Sequence, residues 1–248
     1  MAFKDHFSGH AGEYARYRPR YPAELFTKLV ESAPARELAW DCATGSGQAA
    51  VALAKLFARV IASDASAEQI GNAARLPNIE YKVETAEQSS QGSASVDLIT
   101  VGQALHWFDL VKFYAEARRV LKPNGIIAAW CYGERMIAPD IDRVFTRYYR
   151  DVVGPYWPPE RALVEDGYRS LPFPFERIGI GEFEMTVEWD LAELLGYLGT
   201  WSASRRYLAA TGRDPRTEID SELRAAWGPE TMKRVIAWPL HLLAGTKN

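Results

Sequence analysis

The 248-residue chain sets 29 lysines and arginines against 32 aspartates and glutamates, for a net charge of −3, and 48% of its residues are hydrophobic. That balance fits one large α/β domain, or one domain with an inserted cap, and it excludes the basic surface of a nucleic-acid binder. No apolar run approaches the ~20 residues of a membrane span, and Met1-Ala2-Phe3-Lys4-Asp5-His6 has no apolar targeting core, so the expected location is cytoplasmic. Cys42 and Cys131, each at the end of an expected strand, read as reduced, buried thiols, and the four scattered histidines give no metal-ligand spacing.

The segment from Phe7 to Pro22 is dense in tyrosine and arginine and precedes any strand, as a lid or arm would. Pro22 can start a helix, with Leu25, Phe26, Leu29, Val30 and Ala33 at helical spacing until Pro34. Leu38-Ala39-Trp40-Asp41 reads as a strand ending in an acid. The loop Cys42 to Gln48, an alanine-rich helix and a second strand ending in Asp64 follow. A helix from Asp64-Ala65-Ser66 to Arg75, a third strand at Ile79–Val83 and a fourth at Val96–Val101 continue the alternation. Asp109 caps a helix with Leu110, Phe113, Tyr114, Ala117, Val120 and Leu121 on one face, and Lys122-Pro123-Asn124-Gly125 ends it before a fifth strand, Ile126–Trp130. These alternations predict an α/β fold with a doubly wound, mostly parallel sheet. Beyond Tyr132 the rhythm changes: a helix at about 137–153, proline breaks at 155–159, one strand over about Glu176–Trp189, a helix from Leu191 to about Leu208, and a last strand over Val235–Leu243 in which Pro239 demands a bulge or an unpaired partner.

The strand, glycine loop, strand and acid bind an adenosine-containing cofactor, because loop glycines let the backbone approach a ligand and the acid accepts from both ribose hydroxyls. Gly45-x-Gly47-x-x-Ala50 with Asp64 about 20 residues on also meets the dinucleotide fingerprint, which leaves an NAD(P)-dependent oxidoreductase open. A non-catalytic cofactor-binding subunit is a third possibility. Asp41, directly before the loop, argues for S-adenosylmethionine: a carboxylate there repels a pyrophosphate but pairs with an ammonium group.

With these residues the sequence resembles the Rossmann-like S-adenosylmethionine-dependent methyltransferases. Asp41-x-Ala43-x-Gly45-x-Gly47 is similar to the family's acid-x-Gly-x-Gly-x-Gly motif, with Ala43 at the first glycine. Glu84-Thr85-Ala86-Glu87 resembles its adenine loop, and Lys122-Pro123-Asn124-Gly125 its Leu-Lys-Pro-Gly-Gly turn. Tyr14-x-x-Tyr17-Arg18-Pro19-x-Tyr21-Pro22, Gln103 to Phe108 and Thr200-Trp201-Ser202 resemble the small-molecule group that includes trans-aconitate methyltransferase-like proteins. The resemblance implies a seven-stranded sheet with a helical cap inserted in the C-terminal half. It divides the chain into an arm and first helix at 1–34, a cofactor-binding core at 35–133, and a C-terminal part at 134–248 that holds the cap and completes the sheet.

The expected cofactor contacts are Tyr14, Tyr17, Arg18, Asp41, Ala43, Gly45, Gly47, Asp64, Ala65, Ala86, Glu87 and Gln103, with Arg18 meeting the methionine carboxylate. Gln103 and His106, past the carboxyl end of the fourth strand, are the candidates at the methyl-transfer site, Gln103 as its wall and His106 as the first base candidate. The partner is a small-molecule acceptor, a carboxylate or acidic hydroxyl if no base is used, with no nucleic acid, membrane or metal involved. The cap aromatics and arginines Tyr148, Tyr149, Trp157, Arg161, Trp201, Arg205, Arg206 and Tyr207 either line an acceptor pocket or form the cap's own core and solvated face; adjacent Arg205 and Arg206 cannot both point inward.

Overall fold

The central apolar runs fold as parallel strands because they are buried on both faces, while Ile79–Val83, at the sheet edge, is only partly buried. In the computed structural model, which describes residues 17–133 and 135–248, β1 (Leu38–Cys42), β2 (Arg59–Asp64), β3 (Ile79–Val83), β4 (Val96–Gly102) and β5 (Leu121–Cys131) lie parallel. With β6 (Glu176–Arg177) and β9 (His241–Thr246) they form a seven-stranded sheet in the order β3-β2-β1-β4-β5-β9-β6, in which β9 runs antiparallel to both neighbours. The expected doubly wound α/β sheet is present. Its strand order reverses between β1 and β4, and the crevice beyond the carboxyl ends at such a reversal is where ligands bind.

Helices α1 (Ala23–Ser32), α2 (Gln48–Leu53), α3 (Ala67–Gly71) and α4 (Leu110–Val120) flank the sheet. In α1, Leu25, Phe26, Leu29 and Val30 are the buried face, as their spacing predicts. Asp109 caps α4 by accepting from the Lys112 amide at 3.3 Å. Helix α3, expected to reach Arg75, stops at Gly71. The Lys122–Gly125 turn lies inside the span of β5, where the β4 pairing slips register between Val96 and Leu98 and Asn124 takes φ +60.

The C-terminal half departs most from the expected elements. The predicted helix over 137–153 is α5 (Pro139–Arg147), continued by one π-helical turn, Tyr148–Val152. A short α6 (Arg161–Glu165) follows. The single strand expected from Glu176 to Trp189 is two: β6 joins the main sheet, and β7 (Glu184–Trp189) leaves it after Gly181, whose φ of +103 turns the chain away. The last predicted strand also divides. β8 (Arg234–Pro239) pairs antiparallel with β7 in a separate two-stranded sheet, and β9 returns to the main one. Pro239 sits at the changeover, opposite Glu184, so its missing donor falls where the ladder ends.

The helix expected from Leu191 to Leu208 breaks into α7 (Leu191–Gly199) and α8 (Ser202–Thr211), and α9 (Asp220–Trp227) completes the cap. Asp190 and Glu193 form a reciprocal cap at the start of α7. The break at Thr200-Trp201 drops the Trp201 ring into an aromatic cluster with Phe145, Tyr148, Tyr149, Trp157 and Tyr197, ring centres 5.2–5.8 Å away. Helical propensity across the junction yields to that burial, since an indole excluded from water is worth a few kcal/mol. Cys42 and Cys131 are both buried and unbridged, as expected.

Candidate active site

The loop after β1 is built on left-handed backbone: Ala43, Gly45 and Gly47 take φ values of +54, +55 and +83. Glycine reaches that region without strain, while alanine at 43 carries roughly 1–2 kcal/mol of it. A side chain at Gly45 would meet nothing nearer than Gln69 Oε1 at 3.9 Å, so the space above the loop is open to a ligand. At Gly47 a Cβ would lie 2.5 Å from the Tyr81 hydroxyl, so a side chain there would force that ring to shift.

Two acids brace the loop from different sides. Asp64, at the end of β2, accepts from the Gly45 and Ser66 amides, each at 2.9 Å, and is only half-buried. Asp41 is buried beneath the loop, where Thr44 donates to one carboxylate oxygen at 2.5 Å and Thr100 to the other at 2.8 Å. Burial raises its carboxyl pKa to about 6; the two threonine hydroxyls pull the other way without overcoming it. Of the other predicted cofactor contacts, Ala65 follows Asp64 directly, Ala86 is buried, and Glu87 accepts from the Asp109 amide at 3.0 Å, tying the third loop to the start of α4.

Tyr14 lies outside the described residues. Tyr17 and Arg18 connect the core to the cap. A Cβ on Gly196 of α7 would come within 2.7 Å of the Tyr17 ring, so helix and ring pack without a side chain between them. Arg18 donates to the Tyr132 hydroxyl at 2.9 Å, and its guanidinium lies 5.4 Å from the centre of the Tyr197 ring. The segment is fastened to α2 by Gln48, which accepts from the Tyr21 amide and donates to the Pro19 carbonyl, both at 3.1 Å.

Past β4 the chain turns through Gln103, another non-glycine residue at positive φ (+55). Its side-chain amide donates to the Tyr132 carbonyl at 3.1 Å and accepts from the Tyr132 amide at 2.8 Å. Gln103 therefore holds the chain after β5 in place. His106, half-buried in the next turn, has Nδ1 2.7 Å from the Tyr168 hydroxyl. Burial, with a further contribution from the Arg161 charge, pushes its pKa down to about 3, so the ring is neutral around pH 7. These residues meet at a cavity of about 70 Å³ between core and cap, with Arg18, Gln103, His106, Tyr132, Arg161 and Tyr197 in its wall. Trp157 and Trp201 complete it on the cap side.

The cap candidates separate. Arg161, Trp157 and Trp201 reach the cavity. Tyr148 is core, paired with Ser204 at 2.7 Å. Neither Arg205 nor Arg206 lines the cavity, and Arg206 donates to the Tyr156 carbonyl. Sequence reasoning missed Tyr132, Tyr168 and Tyr197. It also missed Thr100, the polar position in the otherwise apolar run Leu98–Val101, directly opposite Asp41 in the β1–β4 register.

Residues 40–129 match the family described as Methyltransferase domain. A protein of Dictyostelium discoideum named as a methyltransferase is 36% identical over 230 residues, which span 91% of this chain and 87% of that protein. The chain belongs to the methyltransferase family. A solved structure from Anaeromyxobacter dehalogenans, described as a type II methyltransferase, aligns with this methyltransferase at a TM-score of 0.87 and 46% identity over 93% of this chain and 98% of that one. An uncharacterized methyltransferase of Mycobacterium tuberculosis is 28% identical over 220 residues, 88% of this chain and 84% of its own.

The methyl donor of this methyltransferase is S-adenosylmethionine, which sets aside the dinucleotide reading of the glycine loop. The residues present fit that donor. The loop offers open space over Gly45, a half-buried acid stands at the end of β2, and a buried acid under the loop gains by facing a cation.

Proposed function

We propose that this methyltransferase acts on a small acceptor bearing an anionic group, a carboxylate or an acidic hydroxyl. The observation that carries this reading is the cavity wall: two guanidinium groups, Arg18 and Arg161, stand in it among aromatic rings, and no described carboxylate does. A cavity of about 70 Å³ favours an acceptor of few atoms at the reacting end.

In this reading Asp64 accepts from the ribose hydroxyls, the Gly45 and Gly47 backbone runs along the ribose and methionine portion, and Asp41 supplies the negative charge that attracts the ammonium. Arg18 holds the methionine carboxylate, and Arg161 the anionic group of the acceptor. Bound S-adenosylmethionine supplies a methyl group on an already activated sulfonium. The chain's own task is then to align the acceptor, exclude water and hold its charge. Gln103 contributes by fixing Tyr132, which in turn fixes Arg18. Trp157 and Trp201 close the site against water.

The test is a screen of small carboxylates, phenols and amines for formation of S-adenosylhomocysteine. Turnover confined to carboxylates or acidic hydroxyls, with the acceptor KM raised in Arg161→Met, is expected. Turnover of amines alone, indifferent to Arg161, refutes the reading.

A further inference from the structure

The cavity contains a histidine whose protonation is decided by a partner behind it. Tyr168 closes the turn after α6 at φ +62, immediately after Gly167 at φ +63, and its phenol is buried. Nδ1 of His106, 2.7 Å away, is the only side-chain hydrogen-bond partner of that phenol among the described residues. The backbone N–H of His106 bears on the same phenol oxygen from the donor side.

Hydrogen-bond satisfaction then selects the tautomer. If Nδ1 carried the proton, two donors would face the phenol oxygen and the phenol proton would be buried without an acceptor, which is costly. If the phenol donates to Nδ1, every group on that side is satisfied and the ring's own proton sits on Nε2, the nitrogen left for the cavity that His106 lines.

We propose that His106 is a fixed hydrogen-bond donor to an anionic acceptor, that Tyr168 is the positioning residue which sets its tautomer, and that methyl transfer in this site needs no general base. This rests on the cavity being the acceptor site. It narrows the acceptor to acids ionised before they bind, carboxylates above all. A carboxylate oxygen provides the electron pair for the new C–O bond, the C–S bond breaks, and its pair stays on sulfur. The carboxylate's negative charge and the sulfonium's positive charge cancel, and no proton is released.

The surroundings of the ring agree. Arg161 on α6 faces it, Tyr168 lies behind it, the Trp107 ring is centred 4.6 Å away, and Arg18, Tyr132 and Tyr197 stand in the same cavity wall. Cys131, beside Tyr168, is kept neutral by burial, its pKa pushed up to about 12. Among the described residues, no carboxylate lines the cavity to stabilise an imidazolium.

The full chain labelled with ¹⁵N-histidine tests this without any acceptor. The long-range ¹H–¹⁵N spectrum, with the His106 signals identified by their loss in His106→Gln, should show a protonated Nε2 and a bare Nδ1 that do not titrate between about pH 5 and pH 9. Tyr168→Phe should abolish that preference. In turnover, His106→Gln, which keeps a donor, should retain most of kcat/KM, while His106→Leu should lose roughly tenfold to a hundredfold. A protonated Nδ1, a His106 titrating near neutral pH, or equal losses in His106→Gln and His106→Leu overturns the proposal. If the ring signals are as expected but only amines are methylated, it is the anionic reading of the cavity that fails, and the base-free step fails with it.

Discussion

Replacing Asp41 by asparagine should stabilise the free protein at alkaline pH while weakening its hold on the methyl donor. The carboxyl is buried under the glycine loop and its pKa is raised from 3.8 to about 6, first by desolvation. A folded-state pKa above the unfolded one means that the folded state binds the proton more tightly. Stability is therefore lost as pH rises from about 4 to about 6, and the full penalty stands above that window. A shift of roughly two pH units corresponds to about 3 kcal/mol. Asparagine resembles the protonated acid, and the Thr44 and Thr100 hydroxyls can rotate to pair with its oxygen and its amide. Urea unfolding of both proteins should give Asp41→Asn the advantage by up to about 3 kcal/mol near pH 8 and almost none near pH 4. Calorimetry with S-adenosylhomocysteine should show the reverse order of affinity. A variant no more stable than the parent near pH 8, or a parent whose stability is flat across the window, refutes the reasoning.

Ala43→Gly should raise stability by up to about 1 kcal/mol, since the residue sits at φ +54, and a thermal melt without ligand will register it. Gly196→Ala sets a methyl 2.7 Å from the Tyr17 ring, so the ring must shift; the KM for S-adenosylmethionine should rise severalfold with little change in melting temperature. Lys122→Met strands the buried Asp97, which Lys122 meets at 2.8 Å, and should cost about 1–3 kcal/mol in chemical denaturation, because the backbone amides of Glu37 and Leu38 still donate to it. Arg161→Met should raise the acceptor KM roughly tenfold or more and leave cofactor affinity unchanged, as separate titrations of the two ligands will reveal.

The first five strands and the cofactor loop were legible in the residues because each is specified over a short span. An apolar run marks a parallel strand, glycines mark left-handed backbone, and an acid at a strand's end is a donor's partner whatever surrounds it. Asp41 was singled out by its place before the loop, yet its setting was not: Thr100, almost sixty residues away, becomes its neighbour only when β1 and β4 pair. The cap was read with the right composition and the wrong divisions. Its strand over 176–189, its helix over 191–208 and its last strand over 235–243 each split, because burial of Trp201 and the return of β9 to the main sheet outweigh local propensity.

Local pattern in this chain thus determines a doubly wound sheet and an acid-flanked glycine loop, since both depend on residues close in sequence. The cavity between cap and sheet is tertiary. Arg18, Gln103, His106, Tyr132, Arg161 and Tyr197 come from separate segments and meet only where the cap settles on the carboxyl edge of the sheet. The tautomer of His106 depends on a phenol 62 positions further on. No periodicity encodes such a meeting, because what brings these groups together is the burial of the apolar surface between cap and sheet.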